Sequence, residues 1–147
     1  MLTFLPPATL QQLGRLFISQ LINAVQVIGG DAAAEKLKRF FKQHAISAAV
    51  EQAVDRAYGR FQTEAHDAEL VATLNRDGRF VHDPKVIEML ADVAMLPAHY
   101  DRHKRDLAAA MHYYAPQVPR HRCEAAAQIL VTSIHSEIAS VDLLQKG

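Results

Sequence analysis

Apolar residues in this chain recur at steps of three and four over several separate stretches, the period of helices buried along one side. The longest regular stretch covers residues 124–141. There Ala127, Leu130, Val131, Ile134, Ile138 and Val141 share one stripe, Ser133, Ser136 and Ser140 form a second stripe of small residues, and Ile129 adds apolar surface outside the first. Two packable faces predict a helix at the centre of the fold.

Earlier in the chain, a first helix is predicted over residues 8–28. Thr9 and Gln12 stand at capping-box spacing after Pro6-Pro7, and Leu10, Leu13, Phe17, Leu21, Ala24, Val25 and Ile28 carry its stripe. Gly29-Gly30 ends it, and Asp31 is placed to cap a short second helix with Leu37, Phe40 and Phe41 opposite Glu35, Lys36, Lys38, Arg39 and Lys42. Ser47 is expected to cap a third, in which Val50, Val54, Ala57 and Phe61 share a face. The weak break at residues 63–66 lets it run nearly into a fourth, started by Asp67, carrying Leu70, Val71 and Leu74, and stopped by the turn composition of residues 75–78. Asp83-Pro84 places a cap and a first helical proline before Val86, Ile87, Leu90, Val93 and Ala94, and Pro97 closes that helix. A sixth, over about residues 100–113, buries Leu107, Ala108 and Met111, and Pro116 and Pro119 separate it from the last. No period-two run of β-branched residues bounded by turns appears. The prediction is an all-α, single-domain bundle of about seven helices over residues 1–147, with its first helix at 8–28 and a helical core over 31–144.

Composition narrows the partners. The chain has 147 residues, enough to bury a core without staples, and 16 basic residues balance 16 acidic ones. That balance removes the simplest case for a nucleic-acid partner, which needs a surplus of positive charge. The lone Cys123 excludes an internal disulfide and fits a reducing, cytoplasmic setting. The start, MLTFLPPATLQQ, has no basic leader and is not expected to act as a secretory signal. Residues 16–30 carry no charge, but the run is shorter than the ~20 residues that span a bilayer and includes Ser19, Gln20, Asn23 and Gln26.

Catalytic motifs are absent: there is no phosphate-binding glycine loop, dinucleotide fingerprint, paired-cysteine site or His-Glu-x-x-His. His99 and His103, four apart on a helix with carboxylates nearby, could face one cation, but the sequence specifies no third ligand and solvent-facing histidines are the plainer reading. His66-Asp67 and His82-Asp83 superficially suggest metal phosphohydrolases, yet both aspartates stand where a helix cap explains them. Two other features offer contact rather than chemistry. Ile18 and Ile22 widen the first helix's stripe beyond Phe17 and Leu21, and Tyr113-Tyr114, beside His112, could form a stacking platform or half-core packing.

The succession of Gly29-Gly30 before an Ala-rich helix, AVEQAVDRAYGRFQTEAHD, ELVATLNRDGRFVHDPKVIEMLADV, a proline break and EAAAQILVTSIHSEI resembles the helical amino-terminal domains of bacterial NACHT-type STAND NTPases. The resemblance implies an adaptor or effector-recruiting module of a signalling or defence protein, acting by protein contact or self-association, without a cofactor or metal and without catalysis. It also implies that the chain is either that amino-terminal module alone, with an NTPase module fused to it in the native chain, or a free-standing relative of it, and the polar ending at residues 142–147 fits a cut at a domain boundary. The phosphate loop and metal-binding acid of that family are absent, so no nucleotide-binding residue carries over. Phe17, Ile18, Leu21, Ile22, Tyr113 and Tyr114 are the expected contact residues. The alternatives are a membrane-associating bundle that releases its first helix, and a metal-dependent hydrolase using His99 and His103.

Overall fold

The computed structural model describes residues 7–41, 44–76, 78–95 and 100–141. Among these, every regular element is a helix: α1 (Pro7–Phe41), α2 (His44–Glu64), α3 (Ala68–Asn75), α4 (Arg79–His82), α5 (Pro84–Met95), α6 (Tyr100–Tyr114) and α7 (Arg120–Ala139). Pro6, Lys42, Asp77, Pro97 and His99 lie outside the described residues. So do the side chains of Thr9, Leu10, Ala24, Val25, Ile28, Leu37, Phe40, Phe41, Ser47 and Ala94.

Helix α1 consists of two arms. Gly30 joins them with φ 80 and ψ −174, a backbone conformation that side-chain-bearing residues rarely adopt, so the predicted break at Gly29-Gly30 is present. Across the bend, the Gln26 amide donates to Asp31 Oδ1 at 2.7 Å. Helix α2 departs from the prediction at its start. It begins at His44, which places Ser47 inside the helix rather than at its cap, because Ala45, Ala48 and Ala49 are strong helix formers that extend it backwards. Its end is sharper than predicted: His66 takes a left-handed φ of 51, separating α2 from α3.

Both aspartate caps form. Asp67 Oδ1 accepts the Leu70 N–H at 3.1 Å at the start of α3, and Asp83 Oδ1 accepts the Lys85 N–H at 2.9 Å at the start of α5. Helix α4 has no counterpart in the sequence reading. Four residues are too few to show a period, and only the burial of Phe80 and Val81 reveals its role.

Helix α7 packs against α2, α5 and α6, while α1 packs against α2 and α5. The last helix is therefore central, as its stripe predicts, and Ala127, Leu130, Val131, Ile134, Ile138 and Val141 are all buried. The serine stripe is not its second face. Ser133 is buried, but Ser136 and Ser140 are exposed, and Cys123 and Ala126 complete the wall instead.

Polar bonds fix the register between helices. Glu137 on α7 accepts from Arg56 Nε at 3.0 Å and from Arg60 Nη1 at 3.3 Å, both on α2. Between α2 and α3, the buried Tyr58 hydroxyl donates to Asn75 Oδ1 and the Asn75 amide donates to Gln62 Oε1, each at 2.8 Å. Burial raises the Tyr58 hydroxyl far above the ordinary tyrosine range, so it stays a donor.

Where α1 crosses α2, a Cβ built on Gly14 would stand 3.0 Å from Glu51 Cα and 3.1 Å from its Cβ. Alanine there gains about 1 kcal/mol of helix propensity but loses about 1–3 kcal/mol to crowding against a backbone that yields only if the helices separate. At Gly59, by contrast, an added methyl meets nothing within 4 Å. Thermal melts should move in opposite directions, with Gly14→Ala lowering the midpoint and Gly59→Ala raising it. A higher midpoint for Gly14→Ala would mean that the crossing is looser than described.

Candidate functional site

The carboxyl-terminal end of α6 meets α4 and the start of α5 at an aromatic corner. Tyr113 is 73% exposed and is the single large apolar side chain exposed to that degree among the described residues. Its ring meets Tyr114 edge-on, with centroids 5.1 Å apart at 88°. Tyr114 is held on three further sides. Phe80 meets it edge-on at 6.1 Å, the Arg79 guanidinium lies 5.4 Å from its ring centroid, and its hydroxyl donates to Asp83 Oδ2 at 2.7 Å. Desolvation, and then the bond to Asp83, raise the Tyr114 hydroxyl above the usual tyrosine range. Tyr114 is thus a fixed base for Tyr113. Of the two readings of this tyrosine pair, half-core packing describes Tyr114 and an exposed platform describes Tyr113.

The contact residues expected on the first helix are placed differently. Phe17 and Leu21 are wholly buried, so neither is available to a partner of the folded protein, and Ile18 and Ile22 are half-buried against the same core. The physical reason is coverage: α2 and α5 both pack on α1, and between them they cover the wide stripe.

His103 is also placed otherwise than on a solvent-facing side. It is buried, and its Nε2 bonds to the Asp92 carboxylate of α5. Its spacing held the signal, since His103, Leu107 and Met111 are four apart on the stripe that α6 buries. Nothing in the sequence pointed to Asp92 as its partner. No group of three or more His, Cys, Asp or Glu side chains suited to a metal ion occurs among the described residues.

A second charged cluster joins α7 to the start of α3. Arg122 Nε donates to Asp67 Oδ2 at 2.8 Å, and its Nη2 donates to Asp67 Oδ1 at 2.6 Å and to Glu69 Oε1 at 3.0 Å. The fork on both oxygens leaves Asp67 with the Leu70 cap as well, so this carboxylate is structural. The Arg122 bonds hold the Asp67 carboxyl below the usual carboxylate range, against a smaller opposing effect of burial.

A lowered folded-state pKa contributes stability at neutral pH that is lost on acidification through the carboxylate range. Asp67→Asn should therefore melt below the parent at pH 7, with the difference closing as the pH falls below about 4. A difference that persists unchanged in acid would assign the effect to lost packing rather than to the charge. Next to this cluster, Cys123 is buried and its thiol is raised by desolvation above the ordinary range, so it is not an activated nucleophile.

Comparison with known proteins adds no relative: no family model, no curated protein and no solved structure matches this chain.

Proposed function

We propose that this protein works by contact, as a non-catalytic helical module that binds another protein or a second copy of itself. The observation that carries this reading is Tyr113, a large aromatic side chain held out into solvent against Tyr114, a base that Phe80, Arg79 and Asp83 fix. Holding such a side chain rigid before binding reduces the entropy lost on association, and tyrosine is among the residues on which binding energy concentrates. The contact surface is accordingly placed at the end of α6 rather than on the first helix.

The finer proposal is an amino-terminal adaptor or effector-recruiting domain of a bacterial NACHT-type STAND protein, working in the cytoplasm in signalling or defence. It rests on the sequence resemblance. What supports it is that the segments carrying the resemblance fold as α2, α3 to α5, and α7 within one bundle. For the membrane alternative, no helix among the described residues is long and apolar enough to cross a bilayer.

Sedimentation velocity over a concentration series, beside affinity capture from the source organism, tests the contact reading. Self-association or a captured partner should be lost in Tyr113→Ala, with the helical spectrum and melt retained. Hydrolysis of model phosphate or carboxylate esters that disappears in His103→Ala would instead support the hydrolase.

A further inference from the structure

We infer that the bend at Gly30 is a hinge, and that opening it lets two copies of this chain exchange the first arm of α1. This goes beyond the contact reading above and uses nothing of the Tyr113 corner. Within α1 the backbone leaves helical geometry at Gly30, whose φ of 80 and ψ of −174 lie in a region open essentially to glycine. Helix stands on both sides. Turning the two torsions of that residue to helical values would make residues 7–41 one rod, about 50 Å long at about 1.5 Å per residue. The sequence beyond the bend suits such a rod, because Ala32, Ala34, Glu35 and Lys36 are strong helix formers, while Gly29 and Gly30 oppose it. The bend itself is lightly held. Gly30 is exposed, a Cβ there would meet nothing within 4 Å, and the Gln26 to Asp31 bond across it is exposed as well.

What the first arm touches decides what opening does. Leu13, Phe17 and Leu21 are buried in the common core, so an arm swung away within a single chain would strand three large apolar side chains in water. An arm that enters the same place in a second copy buries them again. Its polar contacts re-form too, Gln12 Oε1 with His82 Nε2 of α4 at 3.0 Å and Arg15 Nε with the Glu51 carboxylate of α2 at 3.8 Å. Gly14 likewise meets the Glu51 backbone again. All these contacts join the first arm to elements that follow the hinge, so each can be made between chains as well as within one. The closed and exchanged forms therefore differ chiefly at the bend, and a short hinge between closely packed elements invites exchange. The occupant is a second copy of this chain, because the place an arm vacates is complementary to that arm.

Gly30→Ala tests the hinge. Alanine is excluded from the bent torsions and is the best helix former. Each exchanged dimer contains two hinges, so its dissociation constant should fall about a hundredfold, about tenfold for each hinge. Sedimentation velocity measures the change. A covalent link between chains identifies exchange. Chains carrying Arg15→Cys and chains carrying Glu51→Cys, both with Gly30→Ala, are unfolded in urea, mixed, refolded together and treated with a short bismaleimide. Exchange brings the two thiols together from different chains, while Cys123 is buried away from the reagent. The linked dimer should form in the mixture and in neither chain alone. A Gly-Ser-Gly insertion after Gly29 should return the protein to monomer, since a longer connection lets each arm reach its own chain. With Gly30 unchanged, the link should appear only at high protein concentration, which supplies the test if Gly30→Ala does not fold.

A folded Gly30→Ala protein that stays monomeric, a dimer that gives no link, or a link that survives the insertion undiminished would each overturn the inference. So would the absence of any link at high concentration with Gly30 unchanged. Tyr113→Ala should leave the link intact, and its loss there would assign the association to the α6 corner and overturn the exchange. A Tyr113→Ala protein that still captures its partner would instead remove the contact reading and leave the hinge standing.

Discussion

Ile134→Asp should leave the protein largely unfolded at room temperature. Ile134 is fully buried in α7, the helix that packs against α2, α5 and α6, so the new carboxylate would sit inside the bundle, away from water. Two costs add. Removing the isoleucine side chain forfeits its burial and leaves a partly filled cavity, worth about 2–5 kcal/mol by analogy with truncations to alanine. A carboxyl group deprived of water without a partner costs several kcal/mol more, even if it protonates to avoid carrying charge. The sum is comparable with the ~5–15 kcal/mol that stabilises a typical domain. Far-ultraviolet circular dichroism and urea titration measure it. A variant that melts within a few degrees of the parent would show that α7 is not the centre of the bundle.

Tyr58 gives the second large effect, and two substitutions divide it into parts. Tyr58→Ala removes a buried ring that leans on Phe61 at 5.2 Å and 55°, a loss of about 3–5 kcal/mol by analogy with buried aromatics. Tyr58→Phe keeps the ring and removes only the hydroxyl that donates to the half-buried Asn75, which should cost about 1 kcal/mol, the net worth of a typical hydrogen bond. Chemical denaturation of the pair should place the phenylalanine variant between alanine and parent. If phenylalanine equals the parent, the Tyr58, Asn75 and Gln62 chain of bonds contributes shape rather than stability.

Much of the fold was legible because it depended on local signals. The aspartates at 67 and 83 announced helix starts that their side chains do cap, and the stripe from Ala127 to Val141 identified the central helix. What was not legible depended on distant partners. The sequence contains Arg122 and Asp67, Asp92 and His103, and Arg79 and Tyr114, but nothing in their spacing pairs residues that the bundle brings together. The exposure of the expected contact residues illustrates the difference. Periodicity showed that the first helix has a wide apolar stripe, but only the packing of α2 and α5 on it shows that Phe17 and Leu21 are covered, and only the folded chain shows that Tyr113 is not.

The join between α2 and α7 has a consequence for how the chain is made. Neighbouring helices in sequence can pair as soon as they exist, as α1 does with α2 and α6 with α7, whereas α2 must wait for α7 across most of the chain. A nascent chain that has emerged from the ribosome through α5 holds Val50, Val54, Ala57 and Phe61 before the last helix has been synthesised. Until α7 arrives and Glu137 reaches Arg56 and Arg60, part of the apolar interior is open to chaperones and to other nascent chains. Production of this protein should therefore be most sensitive to pauses in translation that delay the emergence of α7.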